Sequence, residues 1–246
     1  MLGATLATGL GSFALPAATA YTRRVTFDPA SRSRLTSHDA YRFGSGTLFD
    51  RVARSLCEVG CVPRKELYEA WEVARRARRR FRGGRVVDLA CGHGLVAQLM
   101  LLLDDSSPEA LAVDLKLPPS AFRVAEQLGL TWPRLTGRVS LREAKLESVA
   151  VRPDDVLVSC HACGPLTDSV IELALGARAK VVVLPCCQAT GKCDLGGLGG
   201  WLDPALAIDV TRAGRLRAAG YQVHTQTIPS AITPKNRLLL ASPLVT

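Results

Sequence analysis

Residues 85–103 read RVVDLACGHGLVAQLMLLL, and this stretch decides the fold class. The apolar run 85–90 has the length of a buried β-strand, and residues 95–103 are typical of a buried helix. Between them, Gly92 and Gly94 allow a tight turn in which backbone amides at the start of the helix can approach a ligand. The stretch therefore predicts a strand, a ligand-binding loop and a helix.

Strand and helix patterns alternate from this stretch to the end of the chain. We predict strands at residues 85–90, 110–114, 138–144, 155–160, 180–185, 221–228 and 236–242. Helical patterns occupy residues 95–103, 120–128, 166–177 and 204–220. This alternation predicts a parallel sheet with helices on both faces. Because only the short segment PSAITPK joins the last two strands, they must be antiparallel. The fold class is thus α/β, a Rossmann-like doubly wound seven-stranded sheet whose last strand is antiparallel.

The chain divides into three parts by composition. Residues 85–246 form the alternating domain, residues 28–84 a helical N-terminal lead-in, and residues 1–27 a targeting or disordered segment. Residues 1–27 contain no acidic residue and several hydroxyls, but no basic residue precedes the apolar stretch, so a secretory signal is disfavoured. We expect a cytoplasmic protein, with organelle targeting through residues 1–27 as the alternative. No segment is long and apolar enough to predict a membrane span.

The positive charge of the chain lies before the alternating domain. The formal net charge is +9, and residues 1–87 carry all of it, with 16 Lys and Arg against 7 Asp and Glu. Residues 64–82 predict an amphipathic basic helix in which Arg75, Arg76, Arg79, Arg80 and Arg82 lie off the apolar face. Such a helix could guide a polyanion, or its arginines could form a solvated face, which we favour.

Two acidic residues flank the glycine loop, and two cofactors fit the arrangement. Asp88 ends the first strand, and Asp114 ends the second, where a carboxylate can accept hydrogen bonds from both ribose hydroxyls of a nucleoside. The spacing Gly92-x-Gly94-x-x-Ala97 also satisfies the dinucleotide fingerprint. Asp88 favours S-adenosylmethionine (SAM), because its carboxylate could engage the ammonium group of that cofactor and would repel a pyrophosphate.

The segment DLACGHG resembles the D-x-[GA]-x-G-x-G motif of class I SAM-dependent methyltransferases. The resemblance extends in strand order over roughly residues 64–246 and includes the antiparallel final strand. It implies that SAM is the cofactor and that Asp88, Ala90, Gly92, Gly94 and Asp114 hold it.

Cysteine and histidine residues cluster after the fourth and fifth predicted strands, in SCHACGPLTD and LPCCQATGKC. The carboxyl ends of neighbouring parallel strands share one edge of the sheet, which is the edge where ligands bind. Zinc is an alternative that we do not favour; its ligands would be Cys160, Cys163, Cys186 and Cys193. We favour small buried side chains that line the pocket, Cys186 and Cys187 among them.

His161 and Asp168 are the candidate catalytic residues. A neutral imidazole at position 161 could deprotonate a hydroxyl acceptor, whereas Asp168 near a helix start could equally act as a cap. His161-Ala-Cys163-Gly164, Thr167-Asp168 and Pro185-Cys186-Cys187 resemble the subgroup of tRNA acceptor-stem 2′-O-methyltransferases and glutathione-S-transferase-C-terminal-domain-containing proteins. This resemblance implies RNA as a candidate substrate.

The sequence therefore predicts a SAM-dependent methyltransferase with an unidentified acceptor and an undetermined oligomeric state. One alternative is a nicotinamide-binding oxidoreductase, which lacks support from a Tyr-x-x-x-Lys pair. The other is a non-catalytic nucleic-acid-binding module that uses the basic helix and keeps a vestigial methyltransferase core.

Overall fold

The computed structural model of the chain describes residues 27–185 and 187–244. Residues 1–26, on which the expectation of a targeting segment rests, and Cys186 lie outside the described residues. The sheet strands are β1 (Val86–Leu89), β2 (Ala110–Asp114), β3 (Val139–Glu143), β4 (Val156–Ser159), β5 (Lys180–Val183), β6 (Tyr221–Thr227) and β7 (Arg237–Pro243). The helices are α1 (Leu48–Val59), α2 (Arg64–Arg80), α3 (Leu95–Leu103), α4 (Pro119–Thr131), α5 (Pro165–Ala177) and α6 (Pro204–Ala218).

The strands form one seven-stranded sheet in the order β3-β2-β1-β4-β5-β7-β6. Strands β1 to β5 pair in parallel, and β7 is antiparallel to both of its neighbours, β5 and β6. The predicted doubly wound sheet with an antiparallel last strand is confirmed. The order reverses at β1, since β2 lies on one side of it and β4 on the other, and ligands of such sheets bind at this switch point.

Alternate residues of each central strand enter different cores, because successive side chains of a strand point to opposite faces. In β4, Val156 and Val158 join the core under α1 to α4, whereas Leu157 joins the core under α5 and α6. The four helices on the first face include both helices of the 28–84 lead-in. Residues of α1 and α2 are buried in the same cluster as residues of α3 and α4, so the lead-in packs directly on the sheet.

Two arginines of the positively charged part of the chain, residues 1–87, are buried. The Arg78 side chain is only 2% exposed, and its guanidinium donates to the Met100 carbonyl and to Ser107 Oγ. Arg85 forms a buried ion pair with Asp155, with Nη2 2.6 Å from Oδ2. Arg79, Arg80 and Arg82 are exposed. The predicted solvated face therefore exists, but it is smaller than the composition indicates because part of the charge stabilises the fold.

Candidate functional site

The glycine loop connects β1 to α3 at the carboxyl edge of the sheet. Ala90, Gly92 and Gly94 all have positive φ angles, of 54°, 55° and 65°. Gly94 also has no room for a side chain, because a Cβ there would lie 2.9 Å from Leu141 Cδ2 and 3.2 Å from the Cβ of Ala112. Glycine at position 94 thus lets the loop lie directly against β2 and β3.

Two carboxylates bind backbone amides at the glycine loop and in the first turn of the helix that follows it. Asp88 is 1% exposed, and its Oδ2 accepts a hydrogen bond of 3.1 Å from the Ala97 amide of α3. Asp114 is half-buried at the end of β2, and its Oδ2 accepts a hydrogen bond of 2.9 Å from the Gly92 amide. The two predicted cofactor residues at the strand ends therefore meet at the glycine loop.

The electrostatic environment of this loop is negative. Burial raises the pKa of Asp88 well above its ordinary value; the hydrogen bond from Ala97 opposes this rise, and the nearby charges of Asp114 and Glu66 add to it. Since a raised carboxyl pKa reflects an unfavourable charged form, a cation bound beside the loop would favour the carboxylate. The Gly92 amide is already occupied by Asp114, so it is not offered to a pyrophosphate. The acidic side chains beside the loop would therefore favour a cationic ligand.

His161 stands opposite the glycine loop, after the end of β4. A Cβ built on Gly92 would lie 3.8 Å from His161 Cδ2, which places the imidazole beside the bare face of that glycine. The side chain is partly exposed. The predicted base and the predicted cofactor loop therefore line the same edge of the sheet, on either side of the switch point.

Asp168 forms an ion pair with a buried arginine of α6. Arg212, which is 1% exposed, donates from Nε to Oδ1 at 2.9 Å and from Nη2 to Oδ2 at 2.8 Å. The same Nη2 donates to the Gly164 carbonyl at 2.8 Å. The capping alternative is wrong for both Thr167 and Asp168. Gly164 is the N-cap of α5 without any side-chain cap bond, and Thr167 Oγ1 donates to the Ala162 carbonyl.

The cysteines of this edge differ in environment. Cys160 is buried, Cys163 and Cys187 are exposed, and Cys193 is intermediate, with its Sγ 3.7 Å from Arg212 Nη2. The expectation that Cys187 is a buried pocket residue is therefore wrong, since it follows the strand end rather than lying in the strand. Among residues 27–185 and 187–244, no group of three or more His, Cys, Asp or Glu side chains could hold a metal ion.

A cleft of about 490 Å³ opens beyond β5, between α6 and the β6–β7 pair. Its wall is mostly apolar, and Asp209 and Arg237 form an ion pair at its polar side, with Oδ2 2.7 Å from Nε. Arg237 is the first residue of β7, and Asp209 belongs to α6, so the ion pair joins the helix to the sheet at this cleft.

A family model described as a methyltransferase domain matches residues 65–192. The chain belongs to this methyltransferase-domain family. The match begins in the first turn of α2 and ends in the loop after β5, so it contains the glycine loop, Asp114, His161 and Asp168. A comparison with curated proteins finds no match.

Several solved structures are similar to this chain. An O-methyltransferase family protein from Burkholderia thailandensis is 20% identical, with a TM-score of 0.50 over 85% of this chain and 63% of its own. The tRNA methyltransferase TrmK of B. subtilis is 15% identical, with a TM-score of 0.48 over 70% of this chain and 65% of its own. Magnesium protoporphyrin IX methyltransferase from Synechocystis PCC 6803, solved with bound SAM, is 13% identical, with a TM-score of 0.48 over 85% and 92%. The chain thus spans less than two thirds of the first two proteins.

Three residues of the methyltransferase domain site escaped the sequence reasoning. One signal for Arg212 was available, because its spacing of four residues from Ile208 and from Leu216 places it on the apolar face of the predicted helix. His93 lies between the two glycines of the loop, but no sequence pattern links it to Glu66 of α2.

No helix among the residues that the structure describes is long and apolar enough to cross a membrane.

Proposed function

We propose that the chain is a SAM-dependent methyltransferase in which Asp88, Ala90, Gly92, Gly94 and Asp114 hold the cofactor. The observation that carries this proposal is the Asp114 carboxylate bound to the Gly92 amide, beside the buried Asp88. SAM is a cation with a ribose, and this loop combines negative charge with a carboxylate at the position that reads ribose hydroxyls. Family membership supports the same cofactor.

His161 is the residue we propose to accept the proton of a hydroxyl acceptor. When bound, SAM supplies a sulfonium methyl group for in-line attack by the acceptor oxygen. A Cβ built on Gly92 would be in ordinary contact with His161 Cδ2, so the imidazole stands directly beside the loop, and in this proposal the acceptor approaches from the His161 side. Alignment of the two reactants provides most of the rate enhancement, and proton removal is the smaller part.

Asp168 acts in this proposal as a positioning residue rather than as a base. Both of its oxygens face Arg212, which also holds the Gly164 carbonyl in the loop that follows His161. The ion pair thus ties α5, α6 and the loop together.

The nicotinamide alternative is disfavoured by the same loop. A dinucleotide needs backbone amides for its pyrophosphate, and here the Gly92 amide binds Asp114 and the Ala97 amide binds Asp88. A vestigial core that only binds nucleic acid would not need a base opposite the glycine loop, yet His161 stands there.

RNA is the acceptor class that we propose to test first. The subgroup resemblance implies it, and the exposed Arg79, Arg80 and Arg82 offer charge for phosphate contacts. In the experiment, the protein is incubated with SAM labelled in its methyl group. Total RNA, protein and small-molecule fractions are added to this mixture in three separate reactions. We expect label in RNA.

The outcomes of this experiment test the acceptor class and the transferase activity separately. Label in protein or in small molecules would contradict RNA as the acceptor class, and absence of label from every fraction would contradict the transferase activity.

The variant His161→Ala should keep SAM affinity and lose 10²-fold or more in turnover, which is roughly the contribution of a general base. His38→Ala, an exposed histidine near the start of the described chain, is the control and should behave as wild type.

A further inference from the structure

The imidazole of His93 joins the glycine loop to two helices. Its Nδ1 lies 2.8 Å and 2.9 Å from the two carboxylate oxygens of Glu66, which belongs to the first turn of α2. Its Nε2 lies 2.9 Å from Ser120 Oγ, at the second residue of α4. Glu66 and Ser120 stand 27 residues before and after His93, so the three contacts connect distant parts of the chain.

The partners determine how the ring is protonated. An ionised carboxylate can only accept hydrogen bonds. The Nδ1–H group of His93 is therefore the donor of the hydrogen bond to Glu66. Nε2 then accepts from the Ser120 hydroxyl when the ring is neutral. Both nitrogens are therefore engaged, and rotation of the ring would break both contacts at once.

The location of His93 gives this arrangement a consequence for the cofactor. His93 is the single residue between Gly92 and Gly94, which both have left-handed φ angles. Glycines in such a segment leave the backbone many conformations to lose when it is ordered. The side chain between them is 14% exposed and bonded at both nitrogens, so it fixes the loop before any ligand arrives.

We propose that Glu66 and Ser120 are positioning residues for the cofactor loop, acting through His93, and that α2 is thereby part of the cofactor site. The inference rests on the proposed SAM binding. Glu66 contributes in a second way, because its charge acts on Asp88 and adds to the negative potential beside the loop. The α2 helix thus does more than cover the sheet.

The test measures the dissociation constant for SAM by calorimetry in three single variants and one control. Glu66→Ala removes the acceptor of Nδ1, Glu66→Gln keeps one acceptor oxygen, and Ser120→Ala removes the partner of Nε2. We expect about a 10-fold weaker affinity in Glu66→Ala and in Ser120→Ala, the scale of one lost hydrogen bond to a charged or aligned group. Glu66→Gln should recover part of the loss, which a merely structural role would not predict.

The matched control is Glu69→Ala, one turn later on the same helix. Glu69 is buried, whereas Glu66 is half-buried, and Glu69 forms an ion pair with Lys65 at 3.3 Å. Its removal should leave SAM affinity unchanged. Equal weakening in Glu69→Ala and Glu66→Ala would overturn the proposal, because it would indicate a general effect on α2.

A second measurement does not depend on SAM. In ¹⁵N spectra of the imidazole groups, His93 should show a protonated, hydrogen-bonded Nδ1 in wild type that changes in Glu66→Ala and persists in Glu69→Ala. Wild-type protein that binds no SAM would overturn the proposed function itself. Wild-type protein that binds SAM, with Glu66→Ala and Ser120→Ala folded and equally tight, would overturn only the positioning role. If Glu66→Ala does not fold, Ser120→Ala decides.

Discussion

Gly92 and Gly94 offer a paired test of the loop geometry, because alanine at the two positions meets different surroundings. Both glycines have positive φ angles, so either substitution costs about 1–2 kcal/mol in backbone strain. At position 92 the added methyl group would be in ordinary contact with His161 Cδ2, at 3.8 Å. At position 94 it would collide with Leu141 Cδ2 at 2.9 Å and press on the Cβ of Ala112 at 3.2 Å.

The collision at position 94 sets the size of the difference. The Leu141 methyl group can rotate away, but the Cβ of Ala112 is fixed to the backbone of β2, so overpacking adds about 1–3 kcal/mol. We expect Gly94→Ala to lower the free energy of unfolding by about 2–5 kcal/mol and Gly92→Ala by about 1–2 kcal/mol.

Urea denaturation followed by circular dichroism measures both values, and calorimetry with SAM measures affinity. Gly92→Ala should also weaken SAM binding, because the substitution strains a backbone with positive φ in the loop that we propose holds the cofactor. Equal destabilisation by the two substitutions would refute the packing of Gly94 against β2 and β3. Unchanged SAM affinity in Gly92→Ala would contradict the proposal that this loop holds the cofactor.

Two further predictions concern charged groups that hold the site and the fold. Asp168→Asn should lower the free energy of unfolding by about 2–4 kcal/mol in thermal or urea denaturation, because it leaves the guanidinium of Arg212 buried without its main counter-ion. Glu172→Gln, which breaks an exposed pair with Arg215, should change it by less than about 1 kcal/mol, and equal effects would contradict the prediction. For Asp104, burial acts to raise the pKa, but hydrogen bonds from Ser106 and Gly83 and the charge of Arg78 lower it to about 2. Since the unfolded pKa is about 3.9, this carboxylate stabilises the fold above that pH, and the contribution of about 2 kcal/mol disappears as pH falls through 2. Between pH 5 and 2, wild type should therefore lose about 2 kcal/mol more than Asp104→Asn, whereas parallel curves would contradict the assignment.

The sheet and the cofactor loop could be predicted from the sequence because both depend on local patterns. Apolar runs of strand length, separated by helical segments, give the parallel order, and the short PSAITPK connection requires the antiparallel end. The glycines and Asp88 lie within seven consecutive residues, so their meeting follows from chain continuity. Asp114 joins them because β2 pairs in parallel with β1.

The partners of the loops could not be predicted because they depend on how helices pack on the sheet. Glu66 reaches His93 across the interface between α2 and the glycine loop, and no periodicity in either segment encodes that approach. Asp168 has the sequence context of a helix cap, but Arg212, 44 residues later, binds its carboxylate instead. Similarly, the basic helix places Arg78 on its buried side, next to Asp104, which composition alone does not indicate.

The central claim is that the glycine loop and Asp114 bind SAM. Calorimetric titration of the full chain with SAM, with S-adenosylhomocysteine and with NAD tests this claim most directly. We expect saturable binding of both SAM compounds, no binding of NAD, and at least about 10-fold weaker SAM binding in Asp114→Ala, which loses both the loop contact and the ribose acceptor. Binding of NAD with no heat from either SAM compound would contradict the account.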